Sequence, residues 1–105
     1  MIFIETSTFT KLIDGYLTQD EYLGLQRFLL QSPDAGKVVP GSGGVRKLRW
    51  SLAGKGKRGG LRVIYYWKPR DDEIWLLTVY GKNQKDNIPG HILRRIAEEI
   101  GYDRT

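Results

Sequence analysis

Cysteine is absent from the 105 residues and histidine occurs once. A chain without Cys has no disulfide, no thiolate nucleophile and no Cys-ligated metal. The lone histidine, His91, has no acidic pair at ligand spacing and is read as an ordinary helical residue. Long apolar runs are also missing: none approaches the roughly 20 residues that span a bilayer. The first residues, MIFIETSTF, lack a basic region and a cleavage site, so no signal peptide is expected and the cytoplasm is the expected location. No GxSxG, HExxH or P-loop pattern occurs. The run Gly54 to Gly60 is glycine-rich, yet it lacks the P-loop spacing and joins two strands instead of opening a helix. Neither a metal nor a cofactor is expected.

Acidic residues are the next scarcity. From Arg46 to Arg62 there are seven Lys or Arg and no Asp or Glu. Residues 43–85 hold eleven basic side chains against Asp71, Asp72 and Glu73. The net charge of +5 is therefore concentrated in one part of the chain. Such a field attracts polyanions: nucleic acid, an anionic membrane or an acidic protein. A merely solubilising basic surface is the plainer alternative.

The length suits one domain, residues 1–105. Ile2–Glu5 reads as an edge strand. Thr6 or Ser7 caps a helix carrying Phe9, Leu12, Ile13, Tyr16 and Leu17 on one face. Gly15 weakens the end of that helix. Thr18 with Glu21 three residues on is a capping box for a second helix, with Tyr22, Leu25, Phe28 and Leu29 as its buried stripe. Ser32-Pro33 ends it, since the residue before Pro leaves the helical region. Residues 34–44 form a loop with a short extended piece at Lys37–Val39 and a Pro40-Gly41 turn.

Three strands follow. In the first, Leu48, Trp50 and Leu52 alternate with Lys47, Arg49 and Ser51. In the second, Leu61, Val63, Tyr65 and Trp67 alternate with Arg62, Ile64 and Tyr66. One sheet face is thus expected to be basic and the other packed. The third, Glu73 to Tyr80, is apolar on both faces, which implies either a central position in the sheet or a cover on each side. Asp86 or Asn87 caps a last helix with Pro89 in its first turn and a stripe of Ile88, Ile92, Leu93, Ile96 and Ile100. The expected architecture is α+β, order β-α-α-β-β-β-α, a mainly antiparallel sheet with the N-terminal helical hairpin on one face.

The chemistry lies in the cations. If the three strands form an antiparallel meander, Arg49, Arg62, Tyr80 and Lys82 converge at one end of the sheet. Lys47 lies beside them, and the GKGKRGG connection brings Lys55, Lys57 and Arg58 to its edge. Clustered cations hold a phosphate through charge and bidentate guanidinium contacts. They also stabilise the charge of a phosphoryl-transfer transition state. RNA supplies its own nucleophile, the 2′-hydroxyl. With histidine effectively absent, Lys or Tyr would have to move the protons.

The segments VRKLRWSLAGKGKRGGLRVIYYW and LLTVYGKNQKD resemble the RelE/HigB branch of the RelE/ParE superfamily of type II toxins. The KGKRGG-x-R-x-IYY and LLT-x-YGKN segments are similar to its HigB-type members, and the resemblance spans nearly the whole chain. It implies a RelE-like domain that acts as a metal-independent endoribonuclease, cutting mRNA in the A site of the small ribosomal subunit and so inhibiting translation. It also implies neutralisation by an antitoxin, HigA-like with a helix-turn-helix domain. Carried over, the strand motif falls on Lys47 and Arg49, the phosphate-contacting arginine on Arg62, and the basic segment after the third strand on Lys82 to Lys85. Arg46, Lys55, Lys57, Arg58 and Lys85 are the expected RNA-binding residues. Two departures stand out. The RelE-type arginine after Gly-Lys is Asn83, and the tyrosine near the final helix falls around Pro89. Either Tyr80 or Lys82 is the substitute or cleavage uses cations alone, and the general base stays open. The alternatives are a ParE-like poison of DNA gyrase and a non-catalytic RNA- or ribosome-binding module.

Overall fold

Local signals in the first third of the chain translate directly into structure. In the computed structural model, which describes residues 1–51, 60–81 and 89–99, the first strand is β1 (Ile2–Glu5). Thr6 then caps α1 (Ser7–Ile13), its Oγ1 accepting from Phe9 N at 3.1 Å. The same hydroxyl donates to Leu77 O at 2.7 Å, so the cap also ties the helix to the sheet. Helix α1 stops before Gly15, and Leu12 turns to solvent while Phe9, Ile13 and Leu17 are buried. The capping box forms as expected at the start of α2 (Gln19–Gln31): Glu21 N donates to Thr18 Oγ1 and Thr18 N to Glu21 Oε1. Leu25 and Leu29 form the buried stripe, Tyr22 is half-buried, and the partly exposed Phe28 meets Trp50 with ring centroids 5.1 Å apart.

The sheet contains β2 (Lys37–Val38), β3 (Arg46–Trp50), β4 (Leu61–Lys68) and β5 (Glu73–Gly81) besides β1, in the order β1-β5-β4-β3-β2. The central meander β3-β4-β5 is antiparallel, as is β2 on β3, whereas β1 pairs with β5 in parallel. The short extended piece is thus a true edge strand, an addition to the expected order. A 3₁₀ turn at Pro69–Asp71 links β4 to β5. The chain of described elements ends with α3 (Gly90–Glu99), whose first bonds run from Ile92 N and Leu93 N to Pro89 O. The expected caps Asp86 and Asn87, and Leu52, Ile88 and Ile100, lie outside the described residues.

Two cores flank the sheet. On one face Leu48, Leu61, Val63, Tyr65, Ile74, Leu76 and Val79 pack against the α1–α2 hairpin. Burying each such side chain is worth about 1.5–3 kcal/mol, which fixes the register wherever one face is dry. On the other face Val45, Ile64, Leu77 and Tyr80 pack under Leu93 and Ala97 of α3. This corrects the expected division into one packed and one basic face. The cations share their face with apolar residues that need cover, and α3 supplies it. A bulge sharpens this: the register steps from Ile64↔Thr78 to Tyr65↔Leu76, leaving Leu77 as the extra residue, and Leu77 joins the α3-side core.

Candidate nucleic-acid interface

Antiparallel register decides which side chains meet across a sheet, because directly opposed residues share a face with Cβ atoms about 4.5–5.5 Å apart. Arg49 of β3 opposes Arg62 of β4, and Arg62 opposes Tyr80 of β5. These three expected site residues therefore form a single row across the meander, on the α3 side. Arg49 is exposed, Arg62 half-buried and Tyr80 buried, its hydroxyl oxygen included. Helix α3 covers the Tyr80 end of the row and leaves the arginine end at the surface.

One step along the same face lies a second row. Lys37 opposes Lys47, which opposes Ile64. Two like-charged pairs are thus placed opposite one another at successive positions. Such pairs cost stability unless an anion sits between them. None of the ion pairs among the described residues involves Arg49, Arg62 or Lys37. A cavity of about 350 Å³ opens at the start of β2 beside β3, lined among the described residues by Ala35, Lys37, Lys47, Leu48 and Arg49.

The walls of that cavity are fixed from beneath. Tyr65, buried on the hairpin face, donates its hydroxyl to Pro33 O at 2.7 Å and accepts from Gly36 N at 2.9 Å. Gly36 admits this arrangement because a Cβ there would stand 2.9 Å from the Tyr65 ring and 3.1 Å from the Lys47 carbonyl carbon. Arg46 lies on the hairpin side, opposite Tyr65. Its Nη1 donates to Gly36 O at 2.7 Å and Asp34 O at 3.1 Å, so this expected RNA ligand has its guanidinium engaged in holding the loop. Ser42 closes the β2–β3 turn: its Oγ donates to Val39 O at 2.6 Å and accepts from Val45 N at 3.0 Å. Burial pushes the Tyr65 hydroxyl above the usual tyrosine range, partly offset by the Gly36 hydrogen bond and the Arg46 charge.

Register therefore brings together Arg49, Arg62 and Tyr80, with Lys47 beside them. Lys55, Lys57, Arg58, Lys82 and Lys85 lie outside the described residues. Sequence reasoning misses Lys37, Ser42 and the hydroxyl role of Tyr65. Lys37 has one signal, its place in a short extended piece ahead of a Pro-Gly turn. Among the described residues no group of three or more His, Asp or Glu is placed to hold a metal, and no helix is long and apolar enough to cross a membrane.

No protein-family model matches the sequence. Among solved structures, the chain is similar to one in the intact E. coli RelBE toxin–antitoxin complex, with a TM-score of 0.54 and 19% identity over 80% of this chain and 98% of that one. The fold is RelE-like. The α+β architecture with a mainly antiparallel sheet is thus as expected from the sequence, at an identity too low to transfer a site. In this fold the arginine row lies at one end of the β3–β4–β5 meander, beside the covering helix.

Proposed function

We propose that this chain is the toxin of a type II toxin–antitoxin system, of the RelE/HigB type, and acts as a metal-independent endoribonuclease on mRNA in the ribosomal A site. The observation that carries the reading is the Arg49–Arg62–Tyr80 row with Lys47 beside it. In the proposed reaction the 2′-oxygen attacks the adjacent phosphorus and the bond to the 5′-oxygen breaks. A cyclic phosphate and a 5′-hydroxyl result. One proton leaves the 2′-hydroxyl and one reaches the departing 5′-oxygen. Arg49 and Arg62 hold the phosphate and stabilise the charge that builds on its oxygens. Lys47 and Lys82 are the groups proposed for the two proton transfers; the Tyr80 hydroxyl, expected from the sequence to share that part, is buried under α3 and out of reach of a strand on the surface. A site built of cations leans on positioning, which the ribosome would supply by fixing the mRNA. Lys55, Lys57, Arg58 and Lys85 are proposed to extend the contact to RNA. The cognate antitoxin, of helix-turn-helix type, is the proposed second partner.

The test is expression in growing bacteria with mapping of mRNA 5′ ends. New 5′-hydroxyl ends in translated messages, without DNA damage, are expected. Gyrase-linked DNA breaks with intact mRNA would instead favour the ParE-like alternative. Arrested translation with uncut mRNA would favour a non-catalytic ribosome-binding module.

A further inference from the structure

We infer that Lys37, Lys47 and Arg49 form a second phosphate subsite, which takes the phosphate next to the one held by Arg49 and Arg62. The inference rests on reading the site as an RNA site and goes beyond it by setting the path and minimum length of the strand.

Three observations carry it. First, Lys37 opposes Lys47 one face position along from the Arg49–Arg62 pair. Same-face neighbours on a strand are about 6.6 Å apart, two residues at about 3.3 Å each. A cationic track with that step follows a nucleic-acid backbone instead of gripping one isolated anion. Second, the described residues close the path on one side and leave it open on the other. Inward, Ile64 lies in the core under Leu93 and Ala97 of α3. Outward, the cavity beside β2 is lined by Lys37, Lys47 and Arg49, with no acidic residue among its described walls. Third, Lys37 is not on a loose end. Gly36, the residue before it, is held through its N–H by Tyr65 and through its carbonyl by Arg46. The lysine is therefore presented from a fixed backbone although β2 is only two residues long. Pre-placed charge of this kind saves ordering cost on binding.

The strand would run from the arginine row obliquely outward over β3 to β2. A ligand with a single phosphate fills the arginine row alone. A ligand with two or more consecutive phosphates reaches Lys37 as well.

Equilibrium binding of the full chain to non-cleavable 2′-O-methyl RNA tests this, using a dinucleotide with one phosphate and a tetranucleotide with three. Wild type is expected to bind the tetranucleotide more tightly. Lys37→Gln is expected to weaken the tetranucleotide several-fold, lower its log–log salt slope by about 0.7, the value for one phosphate on a single strand, and leave the dinucleotide unchanged. Lys37→Arg should restore the tetranucleotide. Equal loss on both ligands, no loss on either, or wild type binding the tetranucleotide no better than the dinucleotide would overturn the subsite. Arg62→Ala separates the subsite from the RNA site on which it depends. It should weaken both ligands, and unchanged binding of both would bring down the RNA-site reading itself.

Discussion

Arg49 and Arg62 oppose each other across antiparallel strands, and two guanidiniums so placed repel unless something negative lies between them. The fold therefore carries a local cost at the proposed site, of the kind that function retains at the expense of stability. Arg62→Gln is expected to raise stability by about 0.2–1 kcal/mol in low salt, measured as a shift in the urea midpoint. The gain should shrink as salt screens the pair. Tyr65 works in the opposite sense. Removing its hydroxyl strands the Gly36 N–H and the Pro33 carbonyl, and Tyr65→Phe is expected to cost about 1–3 kcal/mol. Tyr22 and Tyr65 also predict a pH dependence. Burial, then the hydrogen bond and charge of Glu5, raise the Tyr22 hydroxyl above its ordinary range, and burial raises Tyr65. Both folded values lie above the unfolded value of about 10, so their contribution is complete below about pH 10 and is lost as pH rises beyond it. Urea unfolding from about pH 8 to about pH 11 should show that decline, and Tyr22→Phe should make it shallower.

At the scale of elements, the docking of α3 decides how much of the basic face stays open. Its first residue, Gly90, lies so close to the β2–β3 turn that a Cβ would stand 2.1 Å from Pro40 O, a backbone atom that cannot swing aside. Gly90→Ala is expected to destabilise by about 1–3 kcal/mol, as overpacking does. Amide exchange should rise in Val39, whose N–H donates to Val45 O, and in Val45, whose N–H donates to Ser42 Oγ, the bonds that close that turn. Most elements are legible in the amino-acid pattern: the Thr18–Glu21 box, the opposed faces of β3 and β4, and the two-sided burial of β5 all follow from spacing and capping. Pairing partners are not. An alternating pattern fixes which face a residue takes and leaves open which strand lies beside it, so it announces neither the parallel β1–β5 pair nor the two-residue β2. The Leu77 bulge is hidden for the same reason. The helix that covers part of the cationic face is equally hard to foresee. Val45, Ile64 and Leu77, the residues that demand cover, lie on or beside three different strands and converge only in the folded sheet.

Across the whole molecule, charge and fold divide the labour. The α1–α2 hairpin packs one face of the sheet, while the cations gather on the other beyond the reach of α3. The row Arg49–Arg62–Tyr80 follows from the sequence only once an antiparallel meander is assumed, and the strand order bears that assumption out. Lys37 is not, since nothing in its own neighbourhood says which strand it joins. Charge alone marks Arg46 as an RNA ligand, whereas its place on the hairpin side gives it a loop to hold. With a net charge of +5 so distributed, binding to ribosomes should weaken steeply with added salt, and a flat response would count against the basic face as the docking surface. Whether the arginine row carries RNA cleavage is decided by Arg62→Ala in a purified translation system, read by mapping mRNA 5′ ends. The variant is expected to unfold at a urea concentration close to that of wild type, yet to produce no A-site cuts. Cleavage at the wild-type rate by the folded variant would refute the role given to the row.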